Sequence, residues 1–236
     1  MKSILSIVLT LGFGVLCAQD RPGVYFVKSG SDLGKILPYE ARFQFGEFVN
    51  GEVLFRNGRK SQARLNYSLV HGQIMFISPT RDTMLLTNPE LVRLISLNER
   101  SYYYQENHGH VEITKDFGNI KLGKKEYVVR LGQERYASYD QYSSTSAISS
   151  YSSFTNGNGE FSFLQGRDKI IMKRREKYFL VDKNNEIYLA NRASLTKVFP
   201  SHKSAINKFL KANTINMESE QDLLKTLEFC STLAAK

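Results

Sequence analysis

The residues whose types and spacing could do chemistry together are Glu106, His108, His110 and Glu112. Positions two apart on a strand share one face, so an uninterrupted strand would present all four side by side. Two imidazoles and two carboxylates suit zinc or a similar ion, and would make the protein a metal-dependent enzyme centred on His108 and His110. The same letters have a plainer reading. Glu106-Asn107-His108-Gly109 has the composition of a hairpin turn, and a turn breaks the alternation that the site needs. Polar residues on the wet face of an edge strand then account for the cluster, and this reading is the favoured one.

Other chemistry is sparse. The chain holds no Gly-x-Ser-x-Gly elbow, no His-Glu-x-x-His helix, no phosphate-cradling glycine loop and no Cys-x-x-Cys pair. Carboxylates are plentiful, but nothing in their spacing selects a general acid and base. Enzyme is therefore the less favoured class, and no cofactor is expected. Of the two cysteines, Cys17 lies in the apolar N-terminal run. Leu223, Leu227 and Cys230 follow helical spacing, which puts the Cys230 thiol on an apolar face as a small buried hydrophobe.

A second candidate is a surface for binding. From Tyr136 to Gly159 the chain sets Tyr136, Tyr139, Tyr142, Tyr151 and Phe154 among serines and ends Asn156-Gly157-Asn158-Gly159. A solvated insertion or a linker between two β halves is the ordinary reading of such a stretch. As a binding loop, its rings would give contact area at low entropy cost while the small residues adapt. Lysine and arginine number 32 against 23 acidic residues, a formal charge of +9. That excess favours anionic surfaces such as lipopolysaccharide, acidic polysaccharide or nucleic acid. The cations are scattered, however. The one dense run, Lys173-Arg174-Arg175-Glu176-Lys177, reads as the charged tip of a hairpin between two apolar strands, ahead of a binding patch.

The elements that must position these residues are mostly short strands. Between Ala41 and Asn191, apolar and polar residues alternate over stretches bounded by turn signals. Gly51–Arg56 meets Lys60–Tyr67 across Asn57-Gly58, a pair suited to positive φ. Gln73–Ser78, Thr83–Thr87, Leu91–Leu97, Ser101–Gln105, His110–Lys115 and Lys125–Leu131 continue the series. Glu160–Gln165, Asp168–Lys173, Lys177–Asp182 and Glu186–Ala190 complete it. Such short connections make neighbours antiparallel. Beyond Phe199-Pro200 the pattern turns helical, with Ser201 as a cap for one helix and Ser219 with Asp222 as a capping box for another. Ile74–Ile77 and Leu91–Leu97 are apolar on both faces and need cover on both, and the helical pair is the candidate for one cover.

Three segments result. Residues 1–18 read as a signal peptide: Lys2, a short apolar run and a small residue, Ala18, before Gln19-Asp20. Lipidation of Cys17 is disfavoured, because Leu16 precedes it. Residues 19–198 form an antiparallel β domain with the Tyr/Ser-rich loop at 136–159, and residues 199–236 a helical hairpin packed on it. The expected fold is mainly β (α+β), an antiparallel β-sandwich or partly open barrel with a C-terminal helical hairpin.

Leu65-Asn66-Tyr67, Gly72-Gln73-Ile74-Met75-Phe76-Ile77, Asp82-Thr83, Phe199-Pro200 and Asp222-Leu223 together resemble a family of uncharacterised exported β-rich proteins. These are common in Gram-negative bacteria that secrete through a dedicated outer-membrane machinery. Gln73 departs from the glutamate often found there. The resemblance implies export and no activity, so it transfers no functional residue. The helical C-terminus lacks the β-domain which that machinery reads, and this favours the periplasm over the cell surface. The functional expectation is a non-catalytic envelope binding or assembly protein. Its partner would be an envelope protein or an anionic glycan rather than nucleic acid, and no transmembrane segment remains after signal cleavage.

Overall fold

Period-two alternation and tight polar turns build, among the described residues, a single antiparallel sheet of twelve strands. The structure, a computed structural model, describes residues 23–28, 31–137, 141–144 and 169–234, with side chains for all of these except 133–144. Edge strand β1 (Val24–Lys28) leads into two single-turn helices, α1 (Leu33–Ile36) and α2 (Tyr39–Arg42). Two meanders follow, β2 (Val49–Phe55), β3 (Lys60–Ser68), β4 (Gln73–Ile77) and β5 (Thr83–Leu85), then β6 (Val92–Leu97), β7 (Arg100–Gln105) and β8 (Gly109–Asp116), with β6 returning to pair with β2. Asn57-Gly58 makes the β2–β3 turn, with Gly58 at φ +84° as the sequence predicts.

Two long strands carry the rest. β9 spans Ile120–Ala137 and β11 spans Lys169–Asp182; β10 (Gln141–Ser144) folds back on the end of β9, and β12 (Ile187–Leu189) on the end of β11. The sheet order is β1-β11-β9-β8-β7-β6-β2-β3-β4-β5. It stays open, with β1 and β5 as its ends, but it curls. Past the end of β8, the turn after β3 meets β9: Val128 N–H donates to the Leu69 carbonyl at 2.8 Å. The Tyr67 hydroxyl donates to the Glu126 carbonyl at 3.0 Å. That is the partly open barrel among the expected architectures.

Inside the curl, Leu65, Tyr67, Ile74, Ile95, Leu97 and Tyr102 are essentially solvent-free. Leu33, Leu37 and Ala41 of the N-terminal turns pack into the same core, beside Val128 and Met172. Further along this face of β9 and β11, Ile120, Leu122, Tyr178 and Leu180 form a second core with the helices. These are α3 (Arg192–Val198), capped by the Asn191 side chain on the Ser194 N–H at 2.8 Å, then α4 (Lys203–Ala212) and α5 (Glu220–Ala234). Phe209 and Phe229 stack at 4.1 Å and join α4 to α5. Leu223, Leu227 and Cys230 are fully buried, and burial pushes the Cys230 thiol up to about 11. On the opposite face, Val111, Phe179, Val181 and Ile187 make a small third cluster. No helix among the described residues is long and apolar enough to cross a membrane.

Four expectations need correction. Asp168–Lys173 and Lys177–Asp182 are not two strands around a charged tip but one continuous strand, β11. The basic residues inside it point alternately to the two faces, so β periodicity rather than local charge decides its structure. The helical pair covers β9 and β11 instead of β4 and β6, whose apolar residues are satisfied within the curl. Ser201 caps nothing: a 3-10 turn over Pro200–His202 enters α4, and no side chain caps it. The 136–159 stretch starts as strand, since Tyr136 and Ala137 end β9 and pair with Tyr142 and Gln141 of β10. The expected strand Glu160–Gln165 lies outside the described residues.

Candidate anion-binding face

β9 and β11 run side by side with Glu126 opposite Glu176 and, one position on, Lys125 opposite Lys177. Like charges directly opposite each other destabilise a sheet. The two pairs point to different faces and meet different fates.

The glutamates face the core side, between the two cores. Lys124 Nζ lies 3.0 Å from Glu126 Oε1 and 4.0 Å from Glu176 Oε1, and so bridges the pair. Arg174 donates to Glu126 Oε2, and the Tyr178 hydroxyl to Glu176 Oε2 at 2.8 Å. Burial alone would raise the Glu126 carboxyl. The hydrogen bonds from Lys124 and Arg174 outweigh it and hold the group below the ordinary carboxylate range.

On the outer face, Lys173, Arg175 and Lys177 meet no acidic partner among the described residues. Along β11, Lys173, Arg175 and Lys177 occupy successive outward positions, opposite Val129, Tyr127 and Lys125 of β9. On the other side β1 sets Val24 beside Lys173 and Lys28 beside Lys169. No carboxylate occupies an outward position of β1, of β9 from Lys125 to Val129, or of β11 from Lys169 to Lys177; further along β9, Glu134 is the register partner of Lys169. Lys173, Arg175 and Lys177 make no ion pair with a described acidic residue.

Lys125 is the fixed member of the group. Its Nζ donates to the His108 carbonyl at 2.8 Å, next to the turn that starts β8. Gly109 has φ +70°, and a Cβ there would stand 2.8 Å from that nitrogen, so glycine serves both the turn and the lysine. Burial, with Lys177 adding to it, pushes the Lys125 ammonium down to about 8. The His108 ring packs on Phe179 at 5.1 Å, and its imidazole is also lowered, by burial first and then by Lys177 and Lys125.

The four proposed metal ligands are not brought together. Glu106 and His108 lie in the turn between β7 and β8, where the hairpin reading put them. His110 and Glu112 share the core face of β8, with different surroundings. Glu112 receives Arg100 Nη1 at 3.1 and 3.2 Å and Gln44 Nε2 at 2.6 Å. Gln44 in turn accepts from the Tyr102 hydroxyl at 2.7 Å, and the Tyr102 ring stacks on Tyr67 at 5.7 Å. His110 is fully buried against the Tyr104 ring at 5.1 Å, and neither ring nitrogen has a hydrogen-bond partner. Burial, then Lys125, depresses its imidazole to about 3. Among the described residues no group of three or more His, Cys, Asp or Glu could hold a metal ion. Of the aromatic residues proposed for binding, Tyr136 and Tyr142 are cross-strand partners in the backbone, with side chains outside the description. Tyr139, Tyr151 and Phe154 lie outside the described residues altogether.

Comparison with protein-family models, curated proteins and solved structures finds no match. The outer face therefore stands on its own chemistry. A signal for it was present, because basic residues recur with period two at 173, 175 and 177. Lys125 carries no such signal. Only the strand register places it opposite Lys177.

Proposed function

We propose that the protein is an exported, non-catalytic binding protein of the cell envelope, acting in the periplasm, and that its outer β9–β11 face holds an anionic partner. One observation carries the reading: an outward cation row, Lys173, Arg175 and Lys177, with Lys125 opposite its end and no carboxylate among its outward neighbours. A protein that needed only stability would answer these charges, as the other face of the same strands does. A bound anion relieves the repulsion and gains charge-assisted hydrogen bonds. The sequence of residues 1–18 and the resemblance to exported proteins support the compartment.

The test is retention on a dextran sulfate matrix. Replacing Lys173, Arg175 and Lys177 together by serine should lower the salt needed for elution far more than replacing Lys203, Lys208 and Lys211, three exposed lysines of α4, by serine. Equal losses would reduce the interaction to net charge, and the reading would fail.

A further inference from the structure

We infer that the anionic partner is a lipid surface, bearing phosphate headgroups, on which the protein docks through the outer face of β1, β11 and β9. The inference rests on the reading above and adds an apolar element to it. Phe26 of β1 points outward and is 60% exposed. Its cross-strand partner is Ile171, and Val24 flanks it on the same strand. Leu131, at the bulge where β9 slips register against Ile171 and Met172, is 39% exposed. Phe26 is thus an exposed ring flanked by Lys28 and Lys173. Lys28 is two residues along its own strand, and Lys173 is two residues from its partner on β11, about 7 Å away along each strand.

A soluble acidic polymer would use the cations and leave the ring in water. A phosphate-bearing bilayer uses both, because lysines and arginines sit at the headgroups while an aromatic side chain enters the acyl boundary. From Phe26 and Ile171 the row runs outward through Lys173 and Arg175 to Lys177, roughly 20 Å at strand rise. That length spans several headgroups. The lack of an acidic residue opposite Lys173, Arg175 and Lys177 matters more here than for a small ligand, since a carboxylate against an anionic plane is repelled by the whole plane; Glu134, toward the apolar end, has Lys169 as its register partner.

The experiment measures co-sedimentation of the mature chain from Gln19 with vesicles of phosphatidylglycerol and phosphatidylcholine, with pure phosphatidylcholine vesicles, and with soluble polygalacturonate. Wild type should bind the phosphatidylglycerol vesicles and leave pure phosphatidylcholine unbound. Replacing Lys173, Arg175 and Lys177 by serine should weaken vesicle binding by roughly two orders of magnitude. Phe26→Ser should weaken it about tenfold and leave polygalacturonate binding unchanged. Far-UV circular dichroism on each variant separates lost binding from lost fold, and Phe26→Leu, which keeps an apolar side chain, should retain most of the vesicle affinity. If the protein binds polygalacturonate but no vesicle, or if Phe26→Ser binds vesicles like wild type, the lipid inference is overturned and the anionic reading stands. If neither vesicle nor polymer binds, both are overturned.

Discussion

Two like-charge pairs occupy consecutive positions of one strand pair, and the contrast between them is the most informative feature of the molecule. On the core side, Glu126 and Glu176 are bridged by Lys124 and tied down by Arg174 and Tyr178. On the outer side, Lys125 and Lys177 oppose each other with no carboxylate at the neighbouring outward positions. The same backbone and the same register carry both. What differs is who supplies the counter-charge: the protein itself on one face and, in our reading, a partner on the other.

The contrast is most sharply broken from the core side. Glu126→Gln removes the carboxylate that Lys124 and Arg174 share and should cost about 3 kcal/mol in urea unfolding, the scale for breaking a buried ion pair. A cost below about 1 kcal/mol would mean that the core-side charges are no more organised than the outer ones. His110 offers the next largest effect, as a buried group answered by nothing. Folding keeps its ring neutral at pH values where the unfolded chain takes a proton. Its contribution is therefore complete above the unfolded value near 6.5 and is lost as pH falls toward about 3. Between pH 6.5 and 5 the wild type should lose about 2 kcal/mol more than His110→Phe. Identical pH profiles for the two proteins would refute this.

Smaller effects sharpen the outer side. Lys177→Glu gives Lys125 an opposite charge across the strands and should raise stability by about 0.5–1 kcal/mol in thermal melts while abolishing anion binding. A stability gain coupled to a binding loss is the signature of a site kept for function. The neutral Lys177→Gln should raise the Lys125 ammonium above its present value of about 8, still short of 10.5 because burial remains the larger cause. Titration of the lysine side-chain carbons by NMR reads this directly. Smallest of all, Phe26→Ser should change unfolding stability by less than about 0.5 kcal/mol, since the ring is mostly in water already.

Much of the fold was legible in the chain, because alternation and turn residues are local signals. The β2–β3 hairpin at Asn57-Gly58, the β7–β8 turn at Glu106–His108 and the buried Leu223, Leu227, Cys230 stripe follow directly from spacing. What local signals miss is what a residue faces. Lys173–Lys177 looks like a polar tip because five charged residues in a row resemble no buried strand; only the long partner β9 shows them divided between two faces. For the same reason a linear reading sets the helices on β4 and β6 rather than on β9 and β11. Ile74 and Ile95 look uncovered in a linear reading and are covered by curvature instead. The candidate site was legible only as an alternation of cations. Its depth, given by Lys125, Gly109 and the His108 carbonyl, comes from segments that meet only in three dimensions.

Strand β1 carries a consequence for how the molecule assembles. Val24 pairs with Lys173, and Lys28 with Lys169, so the first strand waits for a partner synthesised about 140 residues later. Its partner strand, β11, also pairs with β9 across the segment 138–168. Pairings this distant in sequence close slowly, because the ends of a long stretch of chain must be brought together before any contact rewards it. Until β11 arrives, β9 has no neighbour on that side along its length from Ile120, and Met172 is missing from the first core. The sheet is thus completed last along the edge that bears the cation row, and a chain halted short of residue 169 has neither the edge nor the row.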